Sequence, residues 1–402
     1  MRTTKSLLAG AALALSLAVA ACAPGTPAAP GGGSGGTSGG GDSATPIKVG
    51  IIYSETGALG EYGKTYRKGL EAGLKHATDG TNKVNGRELQ VTFLDDGGDA
   101  DKAVTHAKDQ IGQGTKIIGG TVVSGIALKL AEQAQQNKVL YISGPAATDA
   151  IQGVNKYTFR SGRQSLQDVA TAGTFTKPDG KVVVFAQDTA FGQGNVKAVE
   201  GVLGAQGAQI QPILVPEDAT EFTPFARQII DAKPDMVFVA WAGATSGAMW
   251  QGLSQQGVLD QTTVVTGLGD RSTFGAYGAA SDKIDFLNHY FPSCCDNPVN
   301  KAMIEEIEKA GGTPDLFSPD GFVAAQMIVH AAEQGDDVEA MVSALEGWSF
   351  EGPKGSYSIR KSDHALLQPM FQAKLVKDGD SWKPELVKTV SAEDAAPPEK
   401  KQ

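Results

Sequence analysis

The 402-residue sequence has only 3 cysteines, no cluster of basic residues and, after its N-terminal segment, no long apolar run. Three cysteines cannot build a disulfide-dense secreted module, and no Cys and His residues have the spacing of zinc ligands. Its 35 Lys and Arg against 45 Asp and Glu give a formal net charge of −10, which argues against nucleic acid as a partner. These absences predict a globular extramembrane body without a metal or other cofactor.

The N-terminal segment has the pattern of an export signal. Two positive charges precede an apolar run over residues 7–21, which is short for a membrane span of about 20 residues. Residues 19–22, Val-Ala-Ala-Cys, resemble the bacterial lipobox, in which the cysteine becomes the lipidated first residue. The alternative is an ordinary signal peptide with an incidental cysteine. We expect a signal peptide over residues 1–21 and lipidation of Cys22.

Low-complexity segments flank the folded part of the chain. Residues 22–45 are almost entirely Gly, Ser, Pro, Ala and Thr, a composition typical of a flexible tether. Residues 391–402, SAEDAAPPEKKQ, are predicted to be disordered. We therefore expect a protein outside the cytoplasm, anchored to the bacterial cell membrane through the lipidated cysteine and the tether.

Short β-branched apolar runs alternate with segments of helical periodicity from residue 46 onwards. Ile47–Tyr53 is typical of a buried strand, and the pattern returns at residues 181–186 and 235–242. Helices of about 10–15 residues between such strands predict parallel sheets with helices on both faces. Because the alternation runs through residues 46–164 and again through 165–290, the sequence predicts an α/β fold of two Rossmann-like lobes.

The remaining residues are too few for a third lobe. Residues 298–311 and 319–346 are predicted to be helical, and the last part returns as strands. We expect residues from about 291 to 365 to complete the first lobe and residues from about 366 to 390 to complete the second. A chain that crosses between lobes several times makes a multi-segment hinge with a cleft beside it.

Two hydroxyl side chains stand at strand-to-helix junctions of the first predicted lobe. Ser124 follows a strand at residues 116–120, and Thr148 follows a strand at residues 138–143. Helix N-termini attract carboxylates, and open α/β sheets bind ligands at the carboxyl ends of their strands. Each hydroxyl could instead cap its own helix. Binding and capping both stay open for these two residues.

Several short motifs occur in a fixed order along residues 46–390. They are Ser54–Gly57, Leu94–Asp96, Gly120–Gly125, Ser143–Thr148, Tyr157–Arg160, Asp188–Gly194 and Phe350–Gly355. Their order and spacing resemble the branched-chain-amino-acid-type (Leu/Ile/Val-binding) substrate-binding proteins of ABC importers. The resemblance implies the type I periplasmic-binding fold and capture of a small solute. The protein would act as a monomer and deliver the solute to an ABC permease, and its link to the ATPase subunits would run through that permease.

The resemblance also implies which residues bind the solute. Ser124, Thr148 and the backbone at Ala146 would hold its α-carboxylate from the first lobe. From the second lobe, Phe191 would pack against the solute and Asp270 would receive an α-ammonium. Amino-acid binders usually have Tyr and Glu at these last two positions, so the carboxylate half of the site carries over better than the amine half.

Two further residues bear on this site. Trp241, at a strand end, either walls the side-chain pocket or belongs to the core, and Arg160 is expected to link the lobes through an ion pair. A branched-chain or related amino acid is the first candidate ligand, and an amine-free aromatic or aliphatic acid stays open beside it.

The adjacent Cys294 and Cys295 admit two interpretations. An oxidising compartment permits a vicinal disulfide between them. Two free thiols are the alternative.

Two other functions remain as alternatives. The first is a ligand sensor of the same fold that reports to a membrane kinase or chemoreceptor. The second is a cell-surface hydrolase, which would need a nucleophile–base pair. The five scattered histidines and the absence of a Gly-x-Ser-x-Gly elbow provide none, so the sequence predicts a binding protein and not an enzyme.

Overall fold

The computed structural model describes residues 45–175, 177–267 and 269–400. The predicted signal peptide, Cys22 and all of the tether except residue 45 lie outside the described residues, as do the last two residues of the predicted tail. Within the described ranges, none of the helices is long and apolar enough to cross a membrane.

The first sheet has six strands in the order β2-β3-β1-β4-β5-β6. They are β1 (Ile47–Tyr53), β2 (Lys83–Val84), β3 (Arg87–Asp95), β4 (Ile117–Gly119), β5 (Leu140–Ser143) and β6 (Thr158–Arg160). All neighbours are parallel except β2 and β3, which are joined by a turn at Asn85 and Gly86. Both turn residues have positive φ, as a type I′ hairpin turn requires.

The second sheet has seven strands in the order β16-β15-β11-β10-β9-β7-β8. They are β7 (Lys181–Gln187), β8 (Gln209–Val215), β9 (Met236–Ala240), β10 (Thr263–Gly267), β11 (Ile284–Asn288), β15 (Met370–Asp378) and β16 (Ser381–Val390). The five strands from β7 to β11 are parallel, and the last two add an antiparallel edge. A small antiparallel sheet of β12 (Ser349–Gly352), β13 (Gly355–Ile359) and β14 (Leu366–Leu367) accompanies them.

Eleven α-helices pack on these sheets in the described part of the chain. They are α1 (Gly60–Ala77), α2 (Ala100–Gly112), α3 (Ser124–Asn137), α4 (Ser165–Ala172), α5 (Ala190–Val202), α6 (Thr223–Ala232), α7 (Ser246–Gln255), α8 (Phe274–Tyr277), α9 (Pro298–Lys309), α10 (Ser318–Ala332) and α11 (Val338–Leu345). We call the first sheet with the helices packed on it the first lobe, and the second sheet with its helices the second lobe.

Glycines let α1 and α10 approach closely and bring the late helix α10 to the first lobe. A Cβ atom on Gly69 would lie 1.9 Å from the carbonyl oxygen of Ser318, and one on Gly321 would lie 1.9 Å from that of Tyr66. The single helical stretch predicted over residues 319–346 is wrong in one respect: it is divided between α10 and α11. The chain turns at Gly335, which has a φ of 80°.

The C-terminal tail requires a correction. We predict disorder for residues 391–402, but residues 391–400 leave β16 of the second lobe and pack against the first lobe. Ala395 is fully buried, the amide of Lys400 donates to the carboxylate of Asp363 at 2.9 Å, and Gln152 donates to the carbonyl of Pro398 at 2.9 Å. The tail is therefore one of the segments that connect the two lobes.

Candidate ligand-binding site

A cavity of about 430 Å³ lies between the two lobes, a volume within the usual range for small-molecule sites. It is formed at the carboxyl ends of parallel strands. The final residues of β7, β9, β10 and β11 all line it, namely Gln187, Ala240, Gly267 and Asn288. The loops after β1, β4 and β5 line it from the first lobe. The site thus lies where open α/β sheets bind their ligands.

The lobes touch each other beside this cavity. A Cβ atom on Gly243 of the second lobe would lie 3.1 Å from the carbonyl oxygen of Ala58 in the first. The starts of α3 and α5 also face each other, because a Cβ atom on Gly125 would lie 4.0 Å from that of Ala190. In the described structure the two lobes are therefore in direct contact beside the cavity.

Ser124 is the predicted carboxylate ligand that does line the cavity. It is the first residue of α3, is 5% exposed, and its hydroxyl has no hydrogen-bond partner within the described ranges. Gly125 lines the cavity beside it. Because the first amides of a helix have no intrahelical acceptor, this end of α3 presents free N–H groups and a partial positive charge.

Ala146 and Thr148 do not line the cavity, although their neighbours do. The N–H of Ala146 donates to the carbonyl of Thr121 at 3.1 Å. The hydroxyl of Thr148 accepts from the N–H of Ala150 at 3.2 Å and caps a short 3₁₀ helix. Of the two roles left open for Thr148, the structure gives it capping.

Arg163 is a wall residue that sequence reasoning missed. It lies between β6 and α4, where the chain crosses between the lobes, and is the only Arg or Lys among the described residues that line the cavity. Its Nη1 donates to the carbonyl of Pro145 at 3.0 Å, and its Nε lies 3.3 Å from the carboxylate of Asp168. Only its place directly after the motif ending at Arg160 could have suggested it.

Arg160 differs from its predicted role as a lobe-linking ion pair. It is fully buried and donates to two carbonyl groups, those of Thr148 at 2.6 Å and Arg163 at 3.0 Å. Burial lowers the pKa of its guanidinium to about 10. Arg160 thus orders the wall behind the cavity and does not face it.

Aromatic side chains from both lobes form the apolar part of the wall. Phe191 and Trp241 line it from the second lobe, and Trp241 also packs against the core of that lobe. The indole Nε1 of Trp241 donates to the hydroxyl of Thr245 at 3.0 Å, which fixes the ring. Tyr62 and Phe317 line it from the opposite side, with ring centroids 4.7 Å apart. Such a wall suits a flat or branched apolar group.

Asp270, the expected ammonium partner, is not part of the cavity wall, although its neighbour Gly269 is. It is 4% exposed and caps the short 3₁₀ helix that follows it. Its Oδ1 accepts from the hydroxyl of Ser272 at 2.5 Å and from the N–H of Thr273 at 3.2 Å. The carboxylate therefore has a structural role here.

The carboxylates that do line the cavity are poorly suited to an ammonium group. Asp168 is buried and pairs with Arg163, and burial raises the pKa of its carboxyl group. Asp188 and Glu217 are exposed, and Asp188 already accepts from the side chain of Gln193 at 2.7 Å. Among the described lining residues, no carboxylate is both buried and unpaired.

Other features of the region stand apart from the cavity wall. Cys294 and Cys295 are joined by a disulfide and do not line the cavity.

Behind the wall, burial raises the pKa of Asp320 to about 7 and lowers the pKa of Lys354 to about 7. In the described ranges, no group of three or more His, Cys, Asp or Glu residues could hold a metal ion.

Comparisons with known proteins agree with this architecture. The family described as periplasmic binding protein matches residues 46–380. The Leu/Ile/Val-binding protein homolog 2 of Brucella abortus is 24% identical over 353 residues, which cover 85% of this chain and 94% of the relative.

Two solved structures extend the comparison. An ABC-type branched-chain amino acid transporter protein from Rhodopseudomonas palustris is 31% identical, with a TM-score of 0.75, and the match covers 89% of this chain and 100% of that one. A solute-binding protein from R. palustris in complex with 4-hydroxybenzoate is 22% identical, with a TM-score of 0.78 and coverage of 86% and 97%. These similarities confirm the predicted fold class.

Proposed function

This chain belongs to the periplasmic binding protein family, whose members are extracytoplasmic solute-binding proteins of ABC-transporter type. On that basis we propose that it captures a small carboxylate-bearing solute by closure of its lobes. The observation that carries this proposal is the polar wall of the cavity. Ser124 and the free amides of α3 lie in the first lobe, and Arg163 lies where the chain leaves that lobe. The free amides favour an anion, and Arg163 adds N–H donors to this wall, although Asp168 balances its charge.

The geometry favours an amine-free acid over an amino acid. An α-ammonium group needs an acceptor inside the cavity, but Asp270 caps a helix outside it and Asp168 is paired with Arg163. Phe191 also lacks the hydroxyl that a tyrosine would offer. The aromatic wall provides contacts for a flat ring. The solute we propose is thus an aromatic or aliphatic acid.

A branched-chain amino acid is the second candidate. The names of two relatives, one of them 31% identical, refer to such amino acids. Its ammonium group would have to reach the exposed Asp188 or Glu217. Solvent at those positions weakens an ion pair, which is why we place this candidate second.

Ser124→Ala tests the carboxylate site. We expect it to weaken binding by about 1–3 kcal/mol, because the carboxylate of the solute would lose the hydrogen bond that the Ser124 hydroxyl donates. Calorimetric titration with 4-hydroxybenzoate and with leucine measures the change for whichever ligand binds.

Ser246→Ala is the matched control for this experiment. Ser246 is the first residue of α7, but its hydroxyl already donates to the carbonyl of Gly243 at 2.8 Å. We expect the dissociation constant of the Ser246→Ala variant for the same ligand to stay within about threefold of the wild-type value. An unchanged affinity in Ser124→Ala would remove Ser124 from the site.

The chain would act at the membrane surface as a lipid-anchored monomer. The apolar run over residues 7–21, the lipobox-like residues 19–22 and the Gly-rich segment after them support an anchor at Cys22. The closed form would deliver the solute to a permease whose ATPase subunits drive transport. A same-fold sensor for a membrane kinase or chemoreceptor would use the same anchor, and uptake of the solute by intact cells distinguishes the two.

Cys22→Ser tests the anchor. We expect the variant to leave the membrane fraction and appear in the soluble extracytoplasmic fraction, because a serine has no thiol to lipidate. Fractionation followed by immunoblotting measures the distribution. A variant that stays in the membrane fraction as the wild type does would contradict lipid anchoring at this residue.

A further inference from the structure

One buried amide group in the cavity wall has no hydrogen-bond partner among the residues that the structure describes. Asn288 ends β11, lines the cavity from the second lobe and is 2% exposed. Its Nδ2 is buried without a hydrogen-bond partner among the described residues. An amide donor left in this state is costly to the protein, and a solute bound in the cavity that Asn288 lines is one source of the missing acceptor.

The orientation of this amide is determined by its other end. The Oδ1 atom accepts a hydrogen bond from the backbone N–H of Tyr290 at 2.5 Å. Rotating the amide by 180° would place its NH₂ group against that N–H, donor against donor. The NH₂ group is therefore the end that remains free.

The next residue makes this end of the cavity polar without adding charge. His289 lines the cavity and is 4% exposed. Its Nε2 lies 3.9 Å from the buried carboxylate of Asp320 and has no hydrogen-bond partner in the described part of the chain. Burial, together with the positive charges of Arg163 and Lys354, holds the pKa of His289 well below its usual value. Its imidazole is thus neutral, which suits a neutral polar group and not a second carboxylate.

From these contacts we infer that Asn288 is a specificity-determining residue, whose free amide donates a hydrogen bond to a hydroxyl or carbonyl oxygen on the non-carboxylate part of the solute. This inference rests on the proposed function, because it assumes a ligand in this cavity. It adds a second recognition point, at the end of β11 in the second lobe. A site built to bind a hydroxyl group discriminates strongly against the analogue that lacks it.

The test compares matched ligands in matched variants. Titrations with benzoate and 4-hydroxybenzoate, and with valine and threonine, give for each pair the affinity ratio of the hydroxylated to the plain ligand. Asn288→Ser removes the amide donor, while its hydroxyl can still accept from the N–H of Tyr290. Asn195→Ser is the control, because Asn195 also lines the cavity but its Nδ2 already donates to the carbonyl of Phe191 at 2.9 Å.

We expect the wild type to prefer the hydroxylated member of the pair that binds by about fivefold or more. Asn288→Ser should bring that ratio close to one, chiefly by weakening the binding of the hydroxylated ligand. Asn195→Ser should keep the wild-type ratio. A wild-type ratio near one, or an unchanged ratio in Asn288→Ser, would overturn the inference while leaving the proposed function intact. If none of the four ligands binds the folded wild type, both fall together.

Discussion

Gly125→Leu is expected to weaken solute binding by about 100-fold while leaving the ligand-free protein folded. Gly125 is the second residue of α3 and faces Ala190 at the start of α5, across the contact between the lobes. A leucine side chain would extend into this contact in the closed form only. An overpacking cost of about 3 kcal/mol in the closed form alone corresponds to roughly a 100-fold change in the dissociation constant.

The variant and its control separate closure from folding. Leucine is a better helix former than glycine, so the ligand-free Gly125→Leu protein should melt no lower than the wild type. Gly194→Leu places the same side chain on α5, at a glycine whose Cβ would meet nothing within 4 Å, and should bind like the wild type. Wild-type affinity in Gly125→Leu would mean that binding does not require this contact between the lobes.

Asp363→Asn is expected to lower the free energy of unfolding by about 3 kcal/mol at neutral pH. Asp363 is fully buried and accepts two hydrogen bonds of 2.8 Å from the guanidinium of Arg360. It also accepts from Gln152 at 2.6 Å and from the amide of Lys400 at 2.9 Å. The change would leave Arg360 without its counter-ion and weaken the hold on the C-terminal tail.

The pH dependence of this effect has a defined direction. Burial opposes ionisation of Asp363, but the hydrogen bonds from Arg360, Lys400 and Gln152 outweigh it and lower the pKa from 3.8 to about 2. Since the pKa is lower in the folded state, the stabilisation is fully present above the unfolded value of 3.8. It is lost as the pH falls through about 2.

Urea unfolding of the wild type and Asp363→Asn measures this effect. The difference in stability should stay constant from pH 8 to about 5 and narrow below about 4.5. Asp296→Asn is the control: Asp296 pairs with Lys301 on the surface, and we expect no measurable change in stability from its loss. A difference between wild type and Asp363→Asn that widens on acidification would contradict the account of this ion pair.

The parts of the fold predicted from sequence are those with local signals. The β-branched run Ile47–Tyr53 forms β1 with the predicted bounds. Asp99 stands directly before α2 and belongs to the residue types that favour this position; its carboxylate accepts from the first amides of the helix. The short elements α4 (Ser165–Ala172) and β11 (Ile284–Asn288) were not predicted, since segments this short depend on tertiary packing for their stability.

The site was harder to predict because it is built from long-range contacts. A serine at a strand-to-helix junction indicates a helix N-terminus in the sequence, and Ser124 could be found in this way. Nothing near Asn288 in the sequence shows that its amide is unpaired. The capping role of Asp270 depends on the hydroxyl and amide that follow it. The composition of residues 391–400 predicts disorder. The groups near Asp363 that form hydrogen bonds with this segment are distant in the sequence, so the composition does not reveal them.

Calorimetric titration of the wild type with 4-hydroxybenzoate and with its methyl ester tests the carboxylate-capture account most directly. The protein would first be unfolded and refolded to remove any carried-over solute, and leucine would be titrated in parallel. We predict that the acid binds at least about tenfold more tightly than its ester, because only the acid brings a charge to Ser124, the start of α3 and Arg163. Leucine should bind more weakly than the acid. An ester that binds as tightly as the acid would contradict recognition through the carboxylate.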